Sequence, residues 1–196
     1  MRLTTAIRKC TKCTELASTR TNVVIGDGPI PCDMVFLGEA PGRNEDETGV
    51  AFCGVSGNRL EVSAQRYRLV RGKDYHILNT LKCRPPENRD PTADELTNCK
   101  PFLLRQLKVV KPKVVVAFGR FAQAFVLNVP FSKVRVLANM GVIVRRPDFH
   151  AILSCHPAYT RYNDEVFQAF QGHIGLAKEI ANGKDMSQCI VQVVEL

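Results

Sequence analysis

No run of apolar residues in this chain is long enough to span a bilayer. The opening residues, MRLTTAIRKC, lack the apolar centre of a secretion signal. There is no internal repeat, no low-complexity segment and no tryptophan. These absences exclude a membrane-spanning helix protein and a solenoid, and the chain is expected to be cytoplasmic. Thiols stay reduced in that compartment, so the eight cysteines argue for metal ligation more than for disulfides. The 196 residues, 45% apolar and 23% charged, suit one compact domain over residues 1–196; a second would be cramped. The formal net charge of +8 favours a polyanionic partner, because neutralised phosphates release counterions.

Short apolar runs alternate with helical patterns. Residues 34–38 (MVFLG), 76–80 (HILNT), 113–118 (KVVVAF) and 151–154 (AILS) read as buried strands. A polar loop is expected from Gly38 to about Gly57, followed by a helix to about Val70. Thr92 and Glu95 have the spacing of a capping box for a helix carrying Leu96, Cys99, Leu103 and Leu107. The stretch KVRVLANMGVIVRRP reads as hairpin-like. Asn163 or Asp164 caps a last helix with Val166, Phe167, Phe170, Ile174 and Ala177 on one stripe. The final residues, CIVQVVEL, fit an edge strand or a free tail equally well. Alternating strands and helices predict parallel βαβ units, hence an α/β/α sandwich around a short central parallel sheet. Ligands bind such sheets beyond the carboxyl ends of the strands. The loops beginning GEAPG, NTLKC and CHP stand there.

Cys10 and Cys13 form a C-x-x-C pair, and Cys83 and Cys99 flank a Pro-, Arg- and Asn-rich loop. Four thiolates can hold tetrahedral zinc or a [4Fe–4S] cluster, and spacing leaves both open. Cys99 also fits its helix as an ordinary buried residue. Cys32, Cys53, Cys155 and Cys189 have no partner in spacing.

In order along the chain stand C-x-x-C, GEAPGRNEDETGVAFCG, LNTLKCRPPENRDPTADELTNC, VVVAFG and CHPAY. From Cys10 to about Tyr162 this series resembles the iron–sulfur-containing family-four uracil-DNA glycosylases of the uracil-DNA glycosylase superfamily. The resemblance implies that Cys10, Cys13, Cys83 and Cys99 ligate a structural [4Fe–4S] cluster. It implies an enzyme that flips a nucleotide out of DNA and hydrolyses its N-glycosidic bond. Phe52 is then the platform on which the base stacks, with the Ala40 loop close to it. The Asn79 amide can donate to O4 and accept from N3–H of uracil. His156 can donate to O2 as charge collects there. Glu39 and Glu45, ahead of Asp46, are the carboxylates expected to orient or deprotonate water. Arg84 and Arg161 lie beside motif loops and are the favoured phosphate contacts. No lysine stands in a context that suggests Schiff-base chemistry, so the expected product is an abasic site in an intact strand. A monomer is expected.

The chain departs from the family pattern at several points. Ala51 and Cys53 replace the usual proline and valine around the stacking phenylalanine, and Cys155 replaces an aromatic before the histidine. Thr160, Arg161 and Tyr162 stand where leucines help wedge the duplex. These changes open a second expectation, a roomier pocket for a bulkier pyrimidine such as glucosylated hydroxymethylcytosine in phage DNA. A lesion-binding module without catalysis and a zinc-dependent nucleotide-processing enzyme are the remaining alternatives.

Overall fold

A computed structural model describes residues 3–186 and 191–193. Its elements in order are α1 (Leu3–Arg8), α2 (Thr14–Thr19), β1 (Met34–Gly38), α3 (Arg43–Thr48), α4 (Val55–Arg66) and β2 (His76–Asn79). Then come α5 (Ala93–Val110), β3 (Val114–Phe118), α6 (Gly119–Leu127), β4 (Ile143–Arg145), β5 (His150–Ser154), α7 (Asp164–Ala181) and β6 (Val191–Val193). The sheet runs β2-β1-β3-β5-β4-β6. It is parallel except where β4 meets β5; the stretch expected to be hairpin-like, residues 133–147, supplies only β4, whose antiparallel partner β5 lies beyond it.

The strands read as uninterrupted apolar runs because both faces of the sheet are covered. Met34 and Phe36 of β1 face one core with Leu60 and Ala64 of α4 and Phe170, Ile174 and Ala177 of α7. Val35 and Leu37 face the other, with Leu103 and Leu107 of α5 and Ala122 and Val126 of α6. The result is three layers, helices on either side of a mostly parallel sheet. Helix α5 starts where its capping box places it: the Glu95 amide donates to Thr92 Oγ1 at 3.2 Å and the Thr92 amide to Glu95 Oε2 at 2.8 Å. Asn163 caps α7 by accepting the Val166 amide at 3.1 Å.

Several elements differ from expectation. The loop after β1 contains α3, and α4 stops at Arg66 rather than near Val70. Thr80 lies beyond β2; its amide donates to the Gly38 carbonyl at 3.0 Å and so ties the ends of two neighbouring strands. The tail supplies β6, an edge strand parallel to β4, while Cys189 lies outside the described residues. Among the described residues no helix is long and apolar enough to cross a membrane.

Strand register brings the chemistry-bearing loops together. Gly38 pairs with Asn79 and Phe118 with Ser154, so four parallel strands end at nearly one level. The three motif loops leave the sheet along that rim, those of β2 and β1 adjacent and that of β5 beyond β3.

Candidate active site

Gly38, the last residue of β1, sits between two side chains. A β-carbon built there would overlap Asn79 Oδ1 and come within 2.6 Å of the Phe52 ring. The amide and the aromatic ring therefore meet over a strand end that has no side chain of its own. On the far side, the rings of Phe52 and His156 lie 6.1 Å apart between centroids. Gly119 backs His156, since a β-carbon there would stand 3.3 Å from His156 Cβ. Phe52, Asn79 and His156, one from each motif loop, thus surround one place. Asn79 is 3% exposed and its Oδ1 is buried with no hydrogen-bond partner. A buried amide oxygen left unpaired costs on the order of 1–3 kcal/mol, so this atom is poised for a donor.

Phe52 is held there by its main chain. Its φ of 50° lies in the left-handed region, which disfavours a bulky residue. Arg71 secures the conformation: Nη1 donates to the Phe52 carbonyl at 2.9 Å, Nη2 to the Ala51 carbonyl, and Nε to Asp27 at 2.8 Å. Gly57 is required opposite, because any β-carbon there would collide with the Phe52 carbonyl.

The three acidic candidates of the first loop have different surroundings. Glu45 is engaged by main-chain amides, Oε2 accepting from Gly42 at 3.1 Å and Oε1 from Gly54 at 3.3 Å. It ties the start of α3 to the start of α4, around the segment that carries Phe52. Asp46 is buried and accepts the amides of Thr21 and Asn22, fastening the N-terminal segment to this loop. Glu39 follows Gly38 directly and is half-buried, like Ala40 after it. Burial pushes its carboxyl up to about 7; Asp90 adds to the rise, and Arg120 opposes it. Arg120 in turn pairs with Asp90 at 2.5 Å.

His156 Nδ1 accepts the Ala158 amide at 3.3 Å. That bond leaves the proton of the neutral ring on Nε2. Burial pushes the imidazole down to about 4, so the ring is a neutral donor across the physiological range.

Cys10, Cys13, Cys83 and Cys99 line a single cavity with Ile7, Leu16, Leu81 and Phe102. Arg20 Nη1 donates to Cys83 Sγ at 3.1 Å and Asn98 Nδ2 to Cys13 Sγ at 3.7 Å. Burial pushes the Cys13 and Cys83 thiols up, and Cys99 to about 11. Among the described residues no three His, Cys, Asp or Glu side chains are arranged to hold a single metal ion.

Arg84 and Arg161 flank the rim. Arg84 Nε donates to Asn88 at 2.7 Å, and exposed Arg161 lies 5.2 Å over the Tyr162 ring. Two other basic residues are occupied: Arg89 pairs with Glu95 and Glu15, and Arg146 is buried against the Val126 carbonyl. Ala51 and Cys155, each 1% exposed, pack into the core rather than widening the space around Phe52. Cys53 is half-buried against the Thr48 hydroxyl at 3.2 Å. Sequence reasoning missed Gly38, Gly57, Arg71 and Lys82, none of which carries a signal without the fold.

A three-layer sheet whose rim gathers an aromatic ring, an unpaired amide oxygen and a neutral imidazole defines a site for a flat, hydrogen-bonding ring. The chain belongs to the uracil DNA glycosylase superfamily, whose family model matches residues 25–173. Within it the chain stands with the type-4 proteins. It is 37% identical over 183 residues to the type-4 uracil-DNA glycosylase of Archaeoglobus fulgidus, covering 91% of each chain. It is 33% identical over 177 residues to that of Sulfurisphaera tokodaii, covering 88% of this chain and 80% of the relative. It is 43% identical over 132 residues to the type-4 uracil-DNA glycosylase of Thermotoga maritima, covering 66% of this chain and 68% of the relative.

Proposed function

We propose that the protein is a monofunctional uracil-DNA glycosylase of DNA base-excision repair, acting as a single cytoplasmic domain and a monomer. The observation that carries the reading is the buried, unpaired Asn79 Oδ1 beside the Phe52 ring. Uracil presents N3–H, the donor this oxygen lacks; cytosine presents a lone pair at that position, which the same oxygen repels. The likeness to proteins named type-4 uracil-DNA glycosylases supports the same substrate.

Extrusion brings the base against the face of Phe52, within reach of Asn79 and His156. As the C1′–N1 bond breaks, negative charge gathers on the base and positive charge on the sugar. The Nε2–H of His156 donates to O2 of the leaving base; a ring with its pKa near 4 keeps that proton rather than transferring it. Water attacks C1′ and its proton passes to the Glu39 carboxylate, leaving an abasic site in an intact strand; the departing base is the N1 anion, which takes up a proton from solvent to become free uracil as Glu39 returns its own to solvent. Glu45 holds the Phe52 segment in place, and Arg84 and Arg161 contact phosphates.

The four-cysteine cavity fits a [4Fe–4S] cluster: four sulfur donors surround one space, and Arg20 and Asn98 direct N–H groups at two of them. Cys10, Cys13, Cys83 and Cys99 would hold it, and its contribution would be to fasten the N-terminal segment to the α5 region.

The test is release of free uracil from uracil-containing oligonucleotides, with loss in His156→Ala and Asn79→Ala. Intact uracil after exhaustive incubation with iron-loaded protein refutes the assignment.

A further inference from the structure

Lys82 is one of the largest fully buried side chains in the molecule, 1% exposed. A buried ammonium requires compensation, and an arrangement that leaves it without an acid is costly. Among the described residues no carboxylate forms an ion pair with Lys82. Its Nζ donates instead to the main-chain carbonyl of Asn79 at 2.6 Å. The same residue lines the cavity of the four cysteines, and its main-chain amide donates toward the Cys99 sulfur.

Two sites that the sequence separates are therefore joined by one residue. On one side lies the end of β2, where the Asn79 amide faces the place of the base. On the other lie Cys83 and Cys99. Holding a cluster, Cys83 and Cys99 would be thiolates, and these two neighbours of Lys82 would supply the negative charge that no carboxylate provides. The strut is short and dry, so its bond to the carbonyl is a strong, charge-assisted one.

We propose that Lys82 is a positioning residue that couples the occupied cysteine site to the placement of Asn79. It touches neither base nor sugar; it holds the main chain from which the reading amide projects. The inference rests on the protein being a glycosylase and on the four cysteines holding a cluster.

The experiment compares wild type, Lys82→Met and Lys82→Gln, with kcat and KM for uracil release expressed per folded, iron-loaded chain. Wild type is measured first: if it carries no iron or releases no uracil, the functional reading fails before this one is reached. With wild type active, Lys82→Met should retain iron and lose about ten- to hundred-fold in kcat with KM little changed. Lys82→Gln, which keeps a donor without the charge, should recover part of that loss. Independently, stripping iron from wild type should raise hydrogen exchange in a peptide covering residues 76–80, and restoring iron should reverse it. Wild-type kcat in iron-loaded Lys82→Met overturns the proposal, as does exchange at 76–80 that ignores the metal. Should Lys82→Met not fold, the wild-type exchange experiment decides alone.

Discussion

Replacing Glu39 by glutamine should make the protein more stable and nearly inactive, with both effects growing as pH rises. The carboxyl moves from an ordinary value of 4.5 to about 7, chiefly because it is half-buried beside Asp90. Between pH 4.5 and 7 the folded protein holds a proton that the unfolded chain has released. Stability therefore falls as pH rises through that window and stays lowered above it. At 1.36 kcal/mol for each tenfold change in proton affinity, the penalty approaches about 3 kcal/mol above pH 7. Glutamine mimics the protonated form and carries no such penalty. Denaturant melts should find the two proteins nearly matched near pH 4 and Glu39→Gln ahead by about 3 kcal/mol near pH 8.5. In a chain of this length that is a Tm difference of about 5–10 °C. The difference between the two proteins isolates Glu39 from His156, whose ring falls from 6.5 to about 4 and which destabilises the fold as pH drops below 6.5. Uracil release by wild type should rise through about pH 7 as the carboxylate forms, and the variant should show no such limb. Parallel stability-against-pH curves for the two proteins would refute the reasoning, because the burial of Glu39 would then carry no charge penalty.

Other consequences can be checked with single substitutions. His156→Ala should lower kcat about 10²–10³-fold by removing one preoriented donor; it should leave any limb near pH 7 in place, since that limb belongs to Glu39. Gly38→Ala should reduce uracil release by a comparable factor while the protein stays folded, because the added methyl fills the place beside the fixed Phe52 ring and pushes the Asn79 amide away; circular dichroism with single-turnover kinetics tests this. Cys83→Ala should lose iron, measured by absorbance and metal analysis, and lower Tm by several degrees, since it also removes the acceptor for Arg20. Arg84→Gln and Arg161→Gln should weaken binding across sequences alike and reduce the salt dependence by roughly one counterion each.

The parts of the fold that were legible in the sequence are those written in local chemistry. β1 and β3 announce themselves as β-branched or apolar runs between turn residues, and Thr92 with Glu95 and Asn163 mark helix starts through side chains that bond the first amides. Helix α3 escaped notice because RNEDET has no apolar face; it stands on Glu45 and on glycines at either end. β6 was undecidable because a short apolar tail becomes a strand only if an edge is free to receive it, here β4. Within the site, the motif order named an aromatic, an amide and an imidazole. It did not reveal the empty strand end at Gly38 over which two of them meet, nor the Arg71 clamp, since those depend on residues dozens of positions apart arriving together. Glu39, Glu45 and Asp46 looked alike as letters and are told apart by what they touch: few partners, two glycine amides, and the N-terminal segment.

The left-handed backbone at Phe52 has a bearing on how such a site can diversify. That basin is narrow, and Arg71 and Gly57 close it from both sides, so the main chain gives the ring little freedom to retreat. A lineage that comes to accept a larger ring system cannot do so by sliding this aromatic aside. It has to alter the opposite wall, around His156 and the turn that follows it, while the floor stays where it is.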